Sequence, residues 1–482
     1  MKNTGLLYFM LLFFCGAAQK TTFSPAEKYP VSTLRSDLKE LQRTLYLWHP
    51  GIFSYNSKDS LDAFFSALSK EIDQPLTEFQ FRYYLRRAIT KIGDGHTGVS
   101  ASRQYERAVK GLIRKFFPLR VWIIGDKIYI KENTGPDTLI KEGDEVLFID
   151  SVPAYKLIAQ LRNIATSDGR NITHKDKSIE KSFHLFYAIY KGFRDTFSVN
   201  LRDSSGDLIT RKLAALEFKD KKTEEGKAEE DKNWLVKAPS SFFRISSFDK
   251  GTGYIGLDNF NGKRQRRFFR RSFRLLKKNK CRNLIVDLRG NGGGKAFKGA
   301  NFLAYLLKKP FTRIVIERKP IPIWFSRRLH TDLWQKLNPF LFTTNPLQYP
   351  RKGKWVHELP FPKKYRNHFH GKVYVITDGG TFSMASFTAA YLKYKVGALV
   401  IGEETGGGET GCNAMSGGTI VLPKTRIRIL VPLYHLRHIV PVKDEGHGVL
   451  PDLPVKYSLE DRLLNKDKEM ELLEKLIRDS NN

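Results

Sequence analysis

The sequence predicts an α/β core in its C-terminal half, preceded by a helical domain and a β-rich domain. Three observations predict it. Apolar residues recur at helical spacing from Val31 to Ile92. Short β-rich runs replace that pattern between Phe117 and Leu213. After Phe242 strands alternate with helices, as in parallel β-α-β units. With 482 residues, 27% charged and 41% apolar, the composition suits packed domains and excludes a disordered or fibrous protein. The expected divisions are 1–19 (leader), 30–106 (helical), 107–233 (β-rich with a charged linker) and 234–482 (α/β).

Taken in order, the apolar run Leu6 to Ala18 follows Lys2 and ends in Gly16-Ala17-Ala18-Gln19, which reads as a secretory signal with cleavage near Ala18. It is too short to span a bilayer, so export to the periplasm or the exterior is expected. Bulky Phe14 precedes Cys15 where a lipoprotein signal needs a small residue, which argues against a lipid anchor. Leu34, Leu38, Leu41, Leu45 and Trp48 form a first helical stripe, broken by His49-Pro50-Gly51. Leu61, Phe64, Phe65, Leu68 and Ile72 form a second, and Phe81, Leu85, Ala88 and Ile92 a third. The stripes end in Gly93-Asp94-Gly95-His96-Thr97-Gly98, a turn that folding alone does not call for.

Leu119 to Ile123 and Ile128 to Ile130 flank Gly125-Asp126, a hairpin signal. Gly143 to Asp150 follows, then a helical stretch from Tyr155. Lys219 to Asn233 is nearly all charge of both signs and reads as a solvated linker. Beyond it the expected elements are a strand at Tyr254–Leu257, a helix at Arg266–Lys278, a buried strand at Asn283–Leu288, a strand at Val373–Thr377, a helix at Ser383–Tyr394 and a strand at Ala398–Gly402.

Lys plus Arg is 82 against 50 acids, a net charge of +32 that biases the protein toward anionic surfaces. Lys263 to Arg282 holds eleven Lys or Arg and no acid, interleaved with Phe268, Phe269, Phe273, Leu275 and Leu276. It reads as a helix packed on the sheet with its charged side in water, an anionic envelope surface standing as the alternative and nucleic acid less favoured. Ile321 to Phe342, rich in Trp, Phe, Leu and Arg, fits a lid, a membrane-leaning flap or an ordinary insertion. Cys15, Cys281 and Cys412 show no CxxC spacing, so neither a disulfide scaffold nor a zinc site is expected, and pairing of Cys281 with Cys412 stays open. No cofactor is called for.

Two strand ends carry chemistry. Asp287-Leu288-Arg289-Gly290-Asn291-Gly292-Gly293-Gly294 sets bare backbone N–H groups at a strand-to-helix turn, where they can converge on an anion. No GK[ST] follows, so an oxyanion site is favoured over a phosphate loop, with a tight structural turn as the plain alternative. Asp378-Gly379-Gly380-Thr381-Phe382-Ser383-Met384-Ala385-Ser386 puts Ser383 at the opening of a helix. Alone, such a serine is most often an N-cap.

Those two segments, followed by Gly402-Glu403-Glu404-Thr405-Gly406-Gly407, resemble the C-terminal processing (tail-specific) serine peptidases, whose core is crotonase-like. The resemblance implies Ser383 as nucleophile. It departs from the Ser-Lys branch, because Gly408 stands where that branch has its lysine. Instead His96 and Glu445, the latter in Glu445-Gly446-His447-Gly448-Val449-Leu450-Pro451-Asp452, look like the tricorn-protease branch and its Ser-His-Glu triad. His96 would then be the base, Glu445 the group that fixes its tautomer, and the backbone N–H groups of Gly292 or Gly293 with that of Met384 the oxyanion hole. His447, His435 and His438 rival His96, and Ser386 and Thr381 rival Ser383. Gly143-Asp144-Glu145-Val146-Leu147-Phe148-Ile149-Asp150 resembles the core of a PDZ-like module, with a rigid spacer as the alternative. The expectation is an exported serine endopeptidase of unfolded or C-terminally exposed polypeptides. A peptide-binding scaffold without hydrolysis and a polyanion-binding envelope protein remain the other classes.

Overall fold

The computed structural model describes residues 23–218, 233–307, 314–318, 329–330, 348–351, 354–359, 367–437, 440–442 and 446–480. Residues 1–22, with the expected leader and Cys15, nearly all of 219–233, most of 321–342, His438 and Glu445 lie outside the described residues.

The three apolar stripes become the helices Val31–Trp48, Lys58–Glu71 and Glu78–Ile92. Thr77 and Gln80 close a capping box on the third, an arrangement typically worth about 1 kcal/mol. That helix ends at Gly93, whose φ of +75° is left-handed and cheap for glycine. The chain therefore turns at once into Asp94–Thr97. The helices do not keep a core to themselves. Leu38, Trp48, Phe81 and Leu85 belong to the same buried cluster as Phe269, Val375 and Ile429 of the C-terminal half.

The β-rich segment is an antiparallel sheet in the order Leu208–Ala214, Thr196–Arg202, Glu145–Ile149, Lys127–Asn133, Leu119–Ile124. The Gly125-Asp126 hairpin forms as the sequence predicts. Helices Ala154–Arg162, Thr173–Lys181 and Phe183–Lys191 accompany it, and Val121, Ile128, Ile158, Ile179, Tyr187 and Val199 share its own cluster. The second of these helices escapes pattern reading because its only buried residue is Ile179.

The C-terminal half contains a seven-stranded sheet in the order Val236–Ala238, Ser241–Ile245, Thr252–Leu257, Asn283–Asp287, Lys372–Thr377, Leu399–Gly402, Leu453–Pro454. The first two joins, Val236–Ala238 with Ser241–Ile245 and Ser241–Ile245 with Thr252–Leu257, are antiparallel; the other four are parallel. Strand alternation sorts its residues between two faces. Leu284, Val286, Val373, Val375 and Val400 pack with the cluster containing Phe268, Phe302 and Phe387. Ile285, Tyr374, Ile376 and Ile401 pack under Leu473 and Ile477 of the C-terminal helix Lys468–Asp479. The helix Gln265–Lys278 buries Phe268, Phe269, Phe273 and Leu276, each worth roughly 1.5–3 kcal/mol, and leaves its arginines and lysines exposed.

A second sheet carries the strands Gly411–Val421 and Arg428–Arg437. Gly98–Ser100, just after the His96 turn, pairs antiparallel with Arg428–Leu430. This pairing, with Asp37 accepting from both the N–H and the hydroxyl of Thr425 at 2.7 Å, fastens the N-terminal helices to the C-terminal half. Cys281 and Cys412 are free thiols, so the pairing left open by the sequence does not form. Among the described residues no helix is long and apolar enough to cross a membrane.

Candidate active site

The two glycine-rich strand ends lie side by side and are stitched together. Asp378 Oδ1 accepts the N–H of Gly290 at 2.8 Å and of Gly380 at 2.9 Å. Thr381 donates its hydroxyl to the Leu288 carbonyl at 2.8 Å, and the Phe382 N–H donates to Asn291 O at 2.9 Å. Arg289 ties the first loop to Asp287 and to Asp467 at the start of the C-terminal helix.

Ser383 sits at the end of this assembly with φ +54° and ψ −121°. A non-glycine residue held there costs about 1–3 kcal/mol. The helix begins one residue later, at Met384, and the Ser383 side chain makes no capping hydrogen bond. The plain N-cap reading is therefore set aside. The expected helix to Tyr394 runs α-helical to Tyr391 and continues as a π turn over Leu392–Val396.

The Ser383 hydroxyl faces His96, with Nε2 to Oγ at 3.1 Å. The imidazole stacks on Phe382, centroids 4.7 Å apart and planes at 29°. His174 stacks on the same ring at 4.5 Å and 16°, and its Nδ1 contacts the Gly379 carbonyl at 2.9 Å. Burial holds the His174 pKa below the usual value. His96 Nδ1 is buried without a hydrogen-bond partner among the described residues.

Around this ring stand two buried carboxylates that sequence reading did not select. Asp94 is fully engaged: its Oδ2 meets His49 Nε2 at 3.0 Å and accepts the Thr97 hydroxyl, and its Oδ1 accepts from Asn413 Nδ2 at 3.2 Å. Burial pushes its pKa up, but the hydrogen bond and charge of His49 outweigh that and lower it to about 2. Asp168 accepts the Gly95 N–H at 2.8 Å and the Gly408 N–H at 3.2 Å. Burial pushes its carboxyl up to about 6. Asp94, His96 and Asp168 bring one polar atom each within 4.8 Å of one another, a separation compatible with a cation, yet every one of the four carboxylate oxygens already accepts a hydrogen bond.

The rivals are occupied elsewhere. Ser386 is buried and donates to Thr381 O at 2.8 Å, and the Thr381 hydroxyl is spent on Leu288. His447 contacts Glu404 at 3.3 Å, and His435 contacts Asn413 at 2.9 Å, behind Asp94. Of the expected oxyanion donors, Gly293 requires correction: its N–H donates to Asn291 Oδ1 at 2.9 Å. Its place in the site is steric, since a Cβ there would meet Phe382 O and Ser383 Cβ at 2.8 Å and Met384 N at 2.9 Å. The N–H groups of Gly292 and Met384 have no partner among the described residues. Glu445 lies outside the described residues; Gly446 accepts the Arg170 N–H at 2.7 Å, beside the Asp168 turn.

Asp168, His174 and Phe382 were missed because nothing local marks them. Ser167-Asp168-Gly169 reads as an ordinary turn, and its meeting with His96 depends on contacts about seventy residues apart in sequence, such as Gly95 with Asp168.

Residues 251–455 match the profile of peptidase family S41. No curated protein matches the chain. Among solved structures, mature CPAF complexed with lactacystin is similar over 94% of this chain and 99% of that one, at 14% identity and a TM-score of 0.63. Mature CPAF alone aligns over 93% and 97%, at 14% identity and a TM-score of 0.60. The photosystem II D1 C-terminal processing protease aligns over 88% and 93%, at 14% identity and a TM-score of 0.41. The fold is thus shared with mature CPAF along nearly the whole chain, and the segment 251–455, which matches the peptidase family S41 profile, spans both glycine-rich loops and Ser383.

Proposed function

We propose that the protein is an exported serine endopeptidase acting on unfolded or C-terminally exposed polypeptides, with Ser383 as nucleophile, His96 as base and Glu445 as the group orienting the imidazole. The observation that carries this reading is the 3.1 Å contact between His96 Nε2 and Ser383 Oγ, made across 287 positions of sequence. A serine hydroxyl is a weak nucleophile at neutral pH. Neutral His96 takes its proton as Oγ attacks the scissile carbonyl, then returns it to the leaving amine. The N–H groups of Gly292 and Met384 receive the oxyanion, each donor typically worth about 3 kcal/mol of barrier. Water then repeats the cycle on the acyl-enzyme. The C-terminal half serves as a crotonase-like core and the middle sheet as a PDZ-like module that presents extended chain.

The test is digestion of a reduced, unfolded protein by the purified chain beside Ser383→Ala and His96→Ala. Cleavage by the parent and its loss in both variants is expected; equal cleavage by Ser383→Ala refutes the assignment, and retained peptide binding without cleavage by any of the three supports the non-hydrolytic scaffold.

A second role has its own support. The basic side chains of Lys263–Arg282, from Arg266 to Lys278 along the helix face, are exposed apart from the buried apolar stripe. We read this face as docking on an anionic envelope surface. Binding to anionic vesicles that falls steeply with salt is expected, and is to be lost on charge reversal of Arg270, Arg271 and Arg274.

A further inference from the structure

We propose that Asp168 is a positioning residue for His96, holding the catalytic turn through the Gly95 N–H and stabilising the imidazolium while the proton is in transit. The inference rests on the serine peptidase reading above and adds a carboxylate that the triad Ser383, His96, Glu445 does not contain.

Three observations carry it. First, the Asp168 side chain is almost fully buried, 3% exposed, yet no lysine or arginine is paired with it among the described residues. Its two oxygens accept backbone N–H groups from Gly95, the residue just before His96, and from Gly408. Second, a carboxylate oxygen of Asp168 lies within 4.8 Å of a ring nitrogen of His96, and His96 Nδ1 is buried and unpartnered among the described residues. Third, the loop that delivers Asp168 is over-determined. The Gly169 N–H donates to the Gly93 carbonyl at 2.9 Å, the Arg170 N–H to Gly446 O at 2.7 Å, and the Asn171 side chain to Thr405 O at 2.9 Å. A Cβ on Gly169 would stand 2.2 Å from Gly446 O. One short turn thus locks together the end of the third helix, the loop after Glu445 and the Gly-rich segment following Leu399–Gly402.

A buried, uncompensated carboxylate is expensive to maintain. Next to a ring that becomes cationic in each half-reaction, it turns that expense into differential stabilisation of the charged intermediate. The groups facing it are His96, Asp94 and, from the strand Gly411–Val421, Cys412, whose thiol burial and the two aspartates push up. Asp94 is paired with His49 as well as with Thr97 and Asn413, whereas Asp168 is held by backbone N–H groups and faces the charge on His96 with no lysine or arginine paired with it among the described residues. The proton itself passes only from Ser383 Oγ to His96 Nε2 and on to the leaving amine; Asp168 neither accepts nor supplies it.

The test is an NMR titration of the His96 ring in full-length Ser383→Ala, with and without Asp168→Asn. This readout needs no hydrolysis, so it stands apart from the cleavage assay that tests the peptidase reading. Removing the anion is expected to make the charged ring harder to form, so that its protonation moves to lower pH, and an unmoved transition overturns the proposal. Should the double variant not fold, the pH dependence of kcat/KM in Asp168→Asn decides alone. In the active enzyme Asp168→Asn is expected to lower kcat about 100-fold with KM little changed, and to move the acid limb of kcat/KM to lower pH. A loss of activity with the limb unmoved assigns Asp168 to structure alone and also overturns it.

Discussion

Gly293→Ala is a one-atom probe of how the two glycine-rich loops position Ser383, the proposed nucleophile. Gly293 has φ +95°, where an added Cβ costs roughly 1–2 kcal/mol. The same Cβ would lie 2.8 Å from Phe382 O and from Ser383 Cβ, and 2.9 Å from Met384 N. All three belong to the turn that holds Ser383 and one proposed oxyanion donor, and backbone atoms cannot swing away as a flexible side-chain tip would. Relief requires the loops to part by about half an ångström. A misplacement of that order shifts Oγ from His96 and the Met384 N–H from the oxyanion together, for which a fall of about 10²-fold in kcat is expected. The assay is steady-state cleavage of a quenched fluorescent peptide at 25 °C, with thermal unfolding measured in parallel. The strain itself lowers stability by only about 1–3 kcal/mol, too little to unfold a typical domain at that temperature. A kcat within about twofold of the parent, with the protein folded, would refute the reasoning that Gly293 is there to let the loops touch.

Further outcomes follow from the surrounding network. His49→Ala removes the partner of a fully buried carboxylate and is expected to destabilise the fold by about 3–5 kcal/mol in chemical denaturation; a loss below about 1 kcal/mol would show that Asp94 is otherwise compensated. Phe382→Leu removes the ring on which His96 and His174 stack, so kcat is expected to fall about tenfold with KM nearly constant, as initial-rate kinetics will read. Asp168, raised from 3.8 to about 6 by burial, holds a proton that the unfolded chain has released over that interval. Its contribution to stability therefore falls as pH rises from about 4 to 6, and Asp168→Asn is expected to flatten the change in melting temperature over that window. An identical slope in the variant would place the titration elsewhere.

The elements legible in the sequence are those whose burial pattern is set locally. The three N-terminal stripes, the Gly125-Asp126 hairpin and the strand Asn283–Asp287 are each fixed by short-range periodicity or by a turn residue. Ser383 and His96 were legible through motif resemblance, since the spacing within one glycine-rich turn says nothing about a partner 287 positions away. What remained hidden is set by long-range packing. Thr173–Lys181 shows little amphipathic pattern because it buries one residue. Gly293 was read as an oxyanion donor because a bare glycine N–H suggests one, whereas Asn291 beside it captures that N–H. Asp168 is invisible because its significance lies in which backbone amides it accepts, and those come from Gly95 and Gly408, in two other segments of the chain.

The most direct test of the central claim is covalent labelling by a serine-directed phosphonate, with the modified peptide located by mass spectrometry. Label on Ser383, at a rate greatly reduced in His96→Ala, is the predicted result. Label on another residue, or labelling of Ser383 at an unchanged rate without His96, would contradict the account.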